Sequence, residues 1–265
     1  MTDADGDPTS DALNAANAEI FWRIHEGLPK QGPGSDPTTV RALRSVGTLP
    51  DPPQILDLGC GPGRQTMALA RATGGRVTAV DLLPPFLEQL EASAAERGLS
   101  DQIEIHPGNM GDLRPLGLRE AAYDLIWSEG AIYIIGFDRG LSDWRRYLAP
   151  GGRIAVSEVA WLVETPPDRI RTFWEGHYPG MRSQSENAAA AEAAGYEVLD
   201  QFVVPDHEWW DDYYTIIEGR LEVLRNERDD EAWQSVIAAH DEELAVVREG
   251  LDAFGYVFYI LAASG

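Results

Sequence analysis

From residue 54 onward, short apolar runs alternate with longer amphipathic stretches, the imprint that a parallel sheet with crossover helices leaves in a sequence. The runs predict strands over Gln54–Leu58, Arg76–Val80, Ile103–His106, Tyr123–Trp127 and Gly152–Glu158. Between them, helical spacing predicts helices at 63–73, 85–97 and 138–148; in the second, Phe86, Leu87 and Leu90 turn inward and Gly98 closes the C-terminus. An alanine-rich helix near 185–194 leads to a sixth strand over Tyr196–Val204. Residues 206–254 read as mostly helical, and a β-rich run, Tyr256–Leu261, closes the pattern. Ahead of the sheet, Leu13, Ile20, Phe21 and Ile24 fit a helix over Ala12–Leu28 that the loop Pro29–Ser35 stops. Thr38–Val46 predicts a second short helix before the break Pro50–Pro53, and the first eleven residues predict a disordered tail. The fold class is therefore α/β.

Composition narrows the partners. With 21 Lys+Arg against 44 Asp+Glu the formal net charge is −23, which argues against nucleic acid, because phosphate backbones are bound by basic surfaces. Among the basic residues only Lys30 is a lysine. Acidic excess with arginine in place of lysine suggests a salt-adapted or high-GC source, and it reads as a solvated surface that keeps the protein soluble ahead of an acidic site for a cationic partner. Cys60 is the single cysteine, so an intrachain disulfide and a cysteine-based zinc site are excluded, and the redox context points to the cytoplasm. Histidines at 25, 106, 177, 207 and 240 lack metal-ligand spacing, and no metal is expected. The N-terminal residues lack the basic and apolar regions of a usual secretory signal. The longest apolar run, Tyr256–Ala263, is far short of the ~20 residues that span a bilayer, so no membrane contact is expected.

The sharpest chemical signal is Ile55–Gly63, an apolar strand running straight into a glycine-rich turn at a helix start. Such a turn lets a ligand touch backbone, and its free N–H groups and the helix's positive end favour a negative group. A dinucleotide fingerprint requires its third glycine at position 64, where Arg64 stands. The spacing is instead Gly59-x-Gly61-x-Gly63 with Asp57 just before it, and it resembles the first motif of class I S-adenosylmethionine-dependent methyltransferases. Val77–Asp81 follows as a strand ending in an acid; alone, Asp81 reads as a helix cap, but after this turn it reads as a carboxylate for ribose hydroxyls. His106–Met110 and Leu148–Ile154 match later motifs of the family in order and spacing, with Asn109 where many relatives carry Asp. The similarity extends to bacterial small-molecule methyltransferase-like proteins through Leu28–Ser35, Leu125–Tyr133, Val156–Val159 and Gly255–Tyr259.

The resemblance implies a Rossmann-like, doubly wound, seven-stranded, mostly parallel sheet with an antiparallel last strand, plus N-terminal and C-terminal helical cap elements. It divides the chain into a tail (1–11), a helical lid (12–50), an S-adenosylmethionine-binding core (51–205), a helical cap (206–254) and a last strand (255–265). Implied cofactor contacts are Gln31, Asp57, Gly59, Cys60, Gly61, Gly63, Asp81, Leu82, Asn109, Met110 and Ser128. Residues after the fourth and fifth strands should face the transferred methyl group. Glu129 is the first candidate for a base or a carboxylate that binds an amine, set against a backbone acceptor or a contact to the cofactor's amino end; Tyr133 and Glu158 follow. Lid material is sought in Phe21, Trp22 and His25, in Gln31–Ser35, in Trp174–Pro179 and in Trp209–Tyr214, whose aromatic rings suit either a cage for a cationic or apolar acceptor or ordinary packing. Ser128–Ala131 carries no Asn/Asp-Pro-Pro-Tyr motif, which favours a small-molecule methyl acceptor over a macromolecular one. A homodimer is an open expectation. The alternatives are a protein that binds S-adenosylmethionine without turnover and, disfavoured by Arg64, an NAD-dependent dehydrogenase.

Overall fold

In the computed structural model, residues 19–228 and 230–263 are described. The predicted tail and the first part of the Ala12–Leu28 helix lie outside them. Seven strands form one sheet: β1 (Gln54–Leu58), β2 (Arg76–Asp81), β3 (Ile103–Pro107), β4 (Tyr123–Glu129), β5 (Leu148–Trp161), β6 (Tyr196–Val203) and β7 (Phe254–Ala263), in the order β3-β2-β1-β4-β5-β7-β6. β1 to β5 are parallel neighbours, whereas β7 runs antiparallel to both β5 and β6. The order reverses between β1 and β4, and such a switch point opens a crevice beyond the strands' carboxyl ends. Both faces are covered, which is why the central strands are apolar at nearly every position. Leu56, Ile126, Ile154 and Tyr259 pack on one face against α5 (Phe137–Trp144) and α7 (Gln184–Ala193). Ile55, Val77, Trp127 and Phe258 pack on the other against α2 (Asp36–Val46), α3 (Arg64–Thr73) and α4 (Pro84–Glu96).

A third core lies over the carboxyl ends. Because β7 is antiparallel to β5, its first residue Phe254 pairs with Trp161 at the end of β5, and both belong to this cluster. Around them pack α1 (residues 19–25), α6 (Asp168–His177), the short α8 (His207–Trp209) continuing through a π-helical turn Trp210–Tyr214 into α9 (Thr215–Glu227), and α10 (Glu231–Gly250). Ile20, Ile24 and Leu28 contribute from the N-terminal side, and Trp209, Ile217 and Leu244 from the C-terminal side. Segments remote in sequence thus share one apolar cluster above the crevice. Among the described residues no helix is long and apolar enough to cross a membrane.

Candidate functional site

The glycine turn is built by its neighbours. Gly59 and Cys60 donate their N–H groups to the Val80 carbonyl (2.9 and 3.1 Å), Gly61 donates to Asp81 Oδ2 (2.8 Å), and Gly63 donates to the Cys60 carbonyl (3.0 Å). The expectation of free N–H groups in the turn is corrected here: the end of β2 takes those of Gly59, Cys60 and Gly61, and that of Gly63 is used within the turn itself. Gly61 has φ +53°, and the nearest atom to a Cβ added there is Gln31 Cγ at 3.9 Å. Gly63 serves packing instead, since a Cβ there would lie 2.1 Å from Leu90 Cδ1.

A cavity of about 340 Å³ opens at this turn, between Gln31–Pro33 on one side and the ends of β1, β2, β3 and β4 on the other. Of the residues anticipated from the sequence, Gln31, Gly59, Cys60, Gly61, Asp81, Leu82, Asn109, Met110, Glu129 and Tyr133 line it together. Asp81 also accepts the Leu83 N–H (3.0 Å), so it caps the approach to α4 as well as facing the cavity. Its oxygens, each with two lone pairs, retain capacity for further donors. Asn109 Oδ1 accepts the Gly111 N–H (2.8 Å), which leaves its amide nitrogen as donor.

Asp57, Gly63, Ser128 and Glu158 stand apart from that lining. Asp57 is fully buried, accepts a hydrogen bond from Thr66 Oγ1 (2.6 Å), and has its carboxyl pushed up by burial to about 7. Ser128, also fully buried, donates to the Leu58 carbonyl (2.8 Å) and braces β4 on β1. These two hold the turn from behind.

Glu129 lines the cavity but is not a free base. Lys30 Nζ forms an ion pair with its Oε2, while Thr39 Oγ1 (2.7 Å) and Trp127 Nε1 (2.9 Å) donate to its Oε1. The two charged side chains are 8 % and 1 % exposed. Glu129 therefore anchors the loop after α1 to the end of β4. Sequence reasoning passed over Lys30, although its being the only lysine in the chain was a signal. The same loop is held again where Ser35 Oγ and Thr38 Oγ1 donate to buried Glu208 (2.6 Å each). Arg64, the first residue of α3, bridges Asp36 (2.8 Å) and Asp212 (2.7 Å).

Glu158 is 1 % exposed, with the Tyr178 hydroxyl beside it but no hydrogen bond of good geometry to either oxygen, and burial pushes its carboxyl up to about 8. Unfolding restores the ordinary value of 4.5. Between those values the unfolded chain gives up a proton that the folded chain keeps, so this residue lowers stability as pH rises through that window. Glu158→Gln is accordingly expected to gain on the wild type from pH 4.5 to pH 8 and to level off above, as read by denaturant titration at a series of pH values; a constant difference would contradict the assignment.

The aromatic lid candidates gather beside the first cavity. Gln31, Gly32, Pro33 and Tyr133 also line a second cavity of about 240 Å³, whose far side is formed by residues from Trp174–Tyr178 and from Trp209–Tyr214. Trp22 packs on Phe86 and His25 stacks on Phe21, with burial lowering the His25 pKa to about 4, so these rings join the packing around the crevice. Among the described residues no group of His, Cys, Asp and Glu is placed to hold a metal ion.

A family model described as a methyltransferase domain matches residues 55–152. Methyltransferase GfsG of Streptomyces halstedii is 30 % identical over 107 residues, 40 % of this chain and 37 % of that protein. The chain's matches span roughly a quarter to two fifths of the first curated relatives, from 23 % to 37 % of their length. An S-adenosylmethionine-dependent methyltransferase from Geobacter sulfurreducens, solved with S-adenosylhomocysteine, superposes with a TM-score of 0.76 at 22 % identity, covering 92 % of this chain and 97 % of that one. The [4+2]-cyclase SpnF superposes with a TM-score of 0.70 at 19 % identity, covering 96 % and 94 %.

Proposed function

We propose, for a chain whose residues 55–152 match a methyltransferase-domain family model, that the crevice cavity binds S-adenosylmethionine and that the protein passes its methyl group to a small-molecule acceptor. The observation that carries this reading is the convergence of Gly61, Asp81, Asn109 and Met110 from three strand ends on one mostly apolar cavity at the switch point. Its volume falls within the ~300–1,000 Å³ usual for cofactor pockets. The open space over Gly61 fits a ligand that touches backbone, and a nucleoside without phosphates has no use for the N–H groups that β2 occupies. Asp81 would accept ribose hydroxyl hydrogens with the lone pairs its two backbone bonds leave, and Asn109 and Met110 would meet the base, as the family resemblance implies. When bound, the cofactor supplies a methyl group already activated on positive sulfur. The protein's own task is then to align, exclude water and, where the acceptor needs it, take a proton. Lys30–Glu129 fixes Gln31–Pro33 over the cavity, and Tyr133 stands between it and the second cavity.

S-Adenosylhomocysteine at 100 times its dissociation constant is expected to stabilise the chain by about 2.7 kcal/mol, a rise in Tm of roughly 5–10 °C for this size. NAD is expected to give no shift, since Arg64 occupies the place of the third fingerprint glycine and is tied to Asp36 and Asp212. Absence of a shift with S-adenosylhomocysteine would overturn the reading. A panel of labelled-methyl assays with amines, thiols, phenols and carboxylates separates a transferase from a protein that only binds the compound. The SpnF fold likeness makes that separation necessary.

A further inference from the structure

The second cavity has a chemistry of its own. Trp174, Tyr178, Tyr213 and Tyr256 present rings to it, and Glu243 on α10 is its acid, accepting a hydrogen bond from the Tyr214 hydroxyl (2.6 Å). Among the described residues no lysine or arginine lines it. His177, the other titratable nitrogen base in the wall, has its Nδ1 engaged with the Phe173 carbonyl (2.8 Å). The negative charge of Glu243 reaches Tyr133, Tyr213 and Tyr256. Ring faces and a carboxylate without a fixed cation in the wall attract a positive nitrogen and repel an acid.

We infer that this second cavity is the acceptor site and that it selects an amine, seated on the aromatic wall with its nitrogen toward Glu243. The inference rests on the cofactor reading above, because the shared wall of Gln31–Pro33 and Tyr133 is what brings the two cavities together. An amine arriving as its ammonium ion first gives a proton to Glu243. The nitrogen lone pair then forms the new N–C bond as the S–C bond breaks and its electron pair returns to sulfur. The positive charge passes from sulfur to the methylated nitrogen, still opposite the rings, and Glu243 loses its proton to water as the product leaves.

Titration calorimetry on the full chain, with and without saturating S-adenosylhomocysteine, tests this with three probes of similar shape: benzyltrimethylammonium, benzyl alcohol and phenylacetate. The cation is expected to bind at least about tenfold more tightly than phenylacetate, and Glu243→Gln to weaken it about tenfold while leaving benzyl alcohol within about twofold. Trp174→Leu, which removes one ring face and leaves every charge in place, is expected to weaken the cation about fivefold; it serves if Glu243→Gln melts abnormally. Phenylacetate binding as tightly as the cation, or a cation indifferent to both substitutions, overturns the inference. If the cation binds selectively while S-adenosylhomocysteine does not bind, the cofactor reading falls and the cation site stands. If S-adenosylhomocysteine binds and the second cavity is blind to charge, the reverse holds.

Discussion

Lys30→Met is expected to lower the free energy of unfolding by about 3–5 kcal/mol, the range for removing one partner of a buried ion pair. The carboxylate of Glu129 would remain, 1 % exposed, with only the neutral donors Thr39 and Trp127. An uncompensated charge in that setting costs far more than the pair contributed, because its desolvation is no longer offset. For a chain of this size the loss corresponds to a fall in Tm of roughly 10 °C. Denaturant titration at neutral pH measures it, and the double variant Lys30→Met with Glu129→Leu is expected to recover much of the loss. A single-variant loss under about 1 kcal/mol would mean that water reaches the pair, as it does in exposed ion pairs.

Gly61→Val is expected to weaken S-adenosylhomocysteine at least about 100-fold, about 2.8 kcal/mol at 1.4 kcal/mol per decade, in a chain that still folds. Its φ of +53° makes the substitution strained, at about 1–2 kcal/mol, but no atom stands closer than 3.9 Å to the added Cβ. The branched side chain would therefore enter the cavity and compete for the ligand's volume. Gly63→Val is the contrast, because its Cβ would overlap Leu90 at 2.1 Å and damage the packing of α4 before any ligand arrives. Comparison of thermal melts with and without S-adenosylhomocysteine separates the two effects. A Gly61→Val protein that shifts as the wild type does would show that the turn is not where the ligand sits.

The sheet was legible because its strands are buried on both faces and bounded by glycine and proline. Gln54–Leu58 is found with the predicted bounds, and β2, β3 and β6 differ by one residue. β5 is longer than the predicted Gly152–Glu158, because pairing with β7 carries it on to Trp161 and pairing with Tyr123 of β4 starts it at Leu148. α6 was read only as part of an aromatic lid segment; it buries just Ile170 and Phe173, too few apolar positions to stand out after Pro166–Pro167. At the site, what the chain encodes locally came through: the turn, the acid after β2, the polar and apolar pair after β3. What depends on distant partners did not. Nothing near Glu129 announces a lysine 99 residues earlier, and nothing in Asp241–Leu244 distinguishes Glu243 from its acidic neighbours. The bonds of Ser128 to the Leu58 carbonyl and of Asp57 to Thr66 were illegible for the same reason, since alternation along a strand says that a side chain is buried but not what it faces.

The placement of β7 between β5 and β6 sets an order on synthesis. As the ribosome extends the chain, β1 to β6 all emerge before residues 254–263, yet β5 and β6 share no pairing and each keeps an unpaired border toward the missing ladder. The nascent protein must carry those two borders, apolar on both sides at β5, until the latest strand slides in between them. Chaperone dependence during translation, and aggregation of chains stalled before residue 254, follow from that topology.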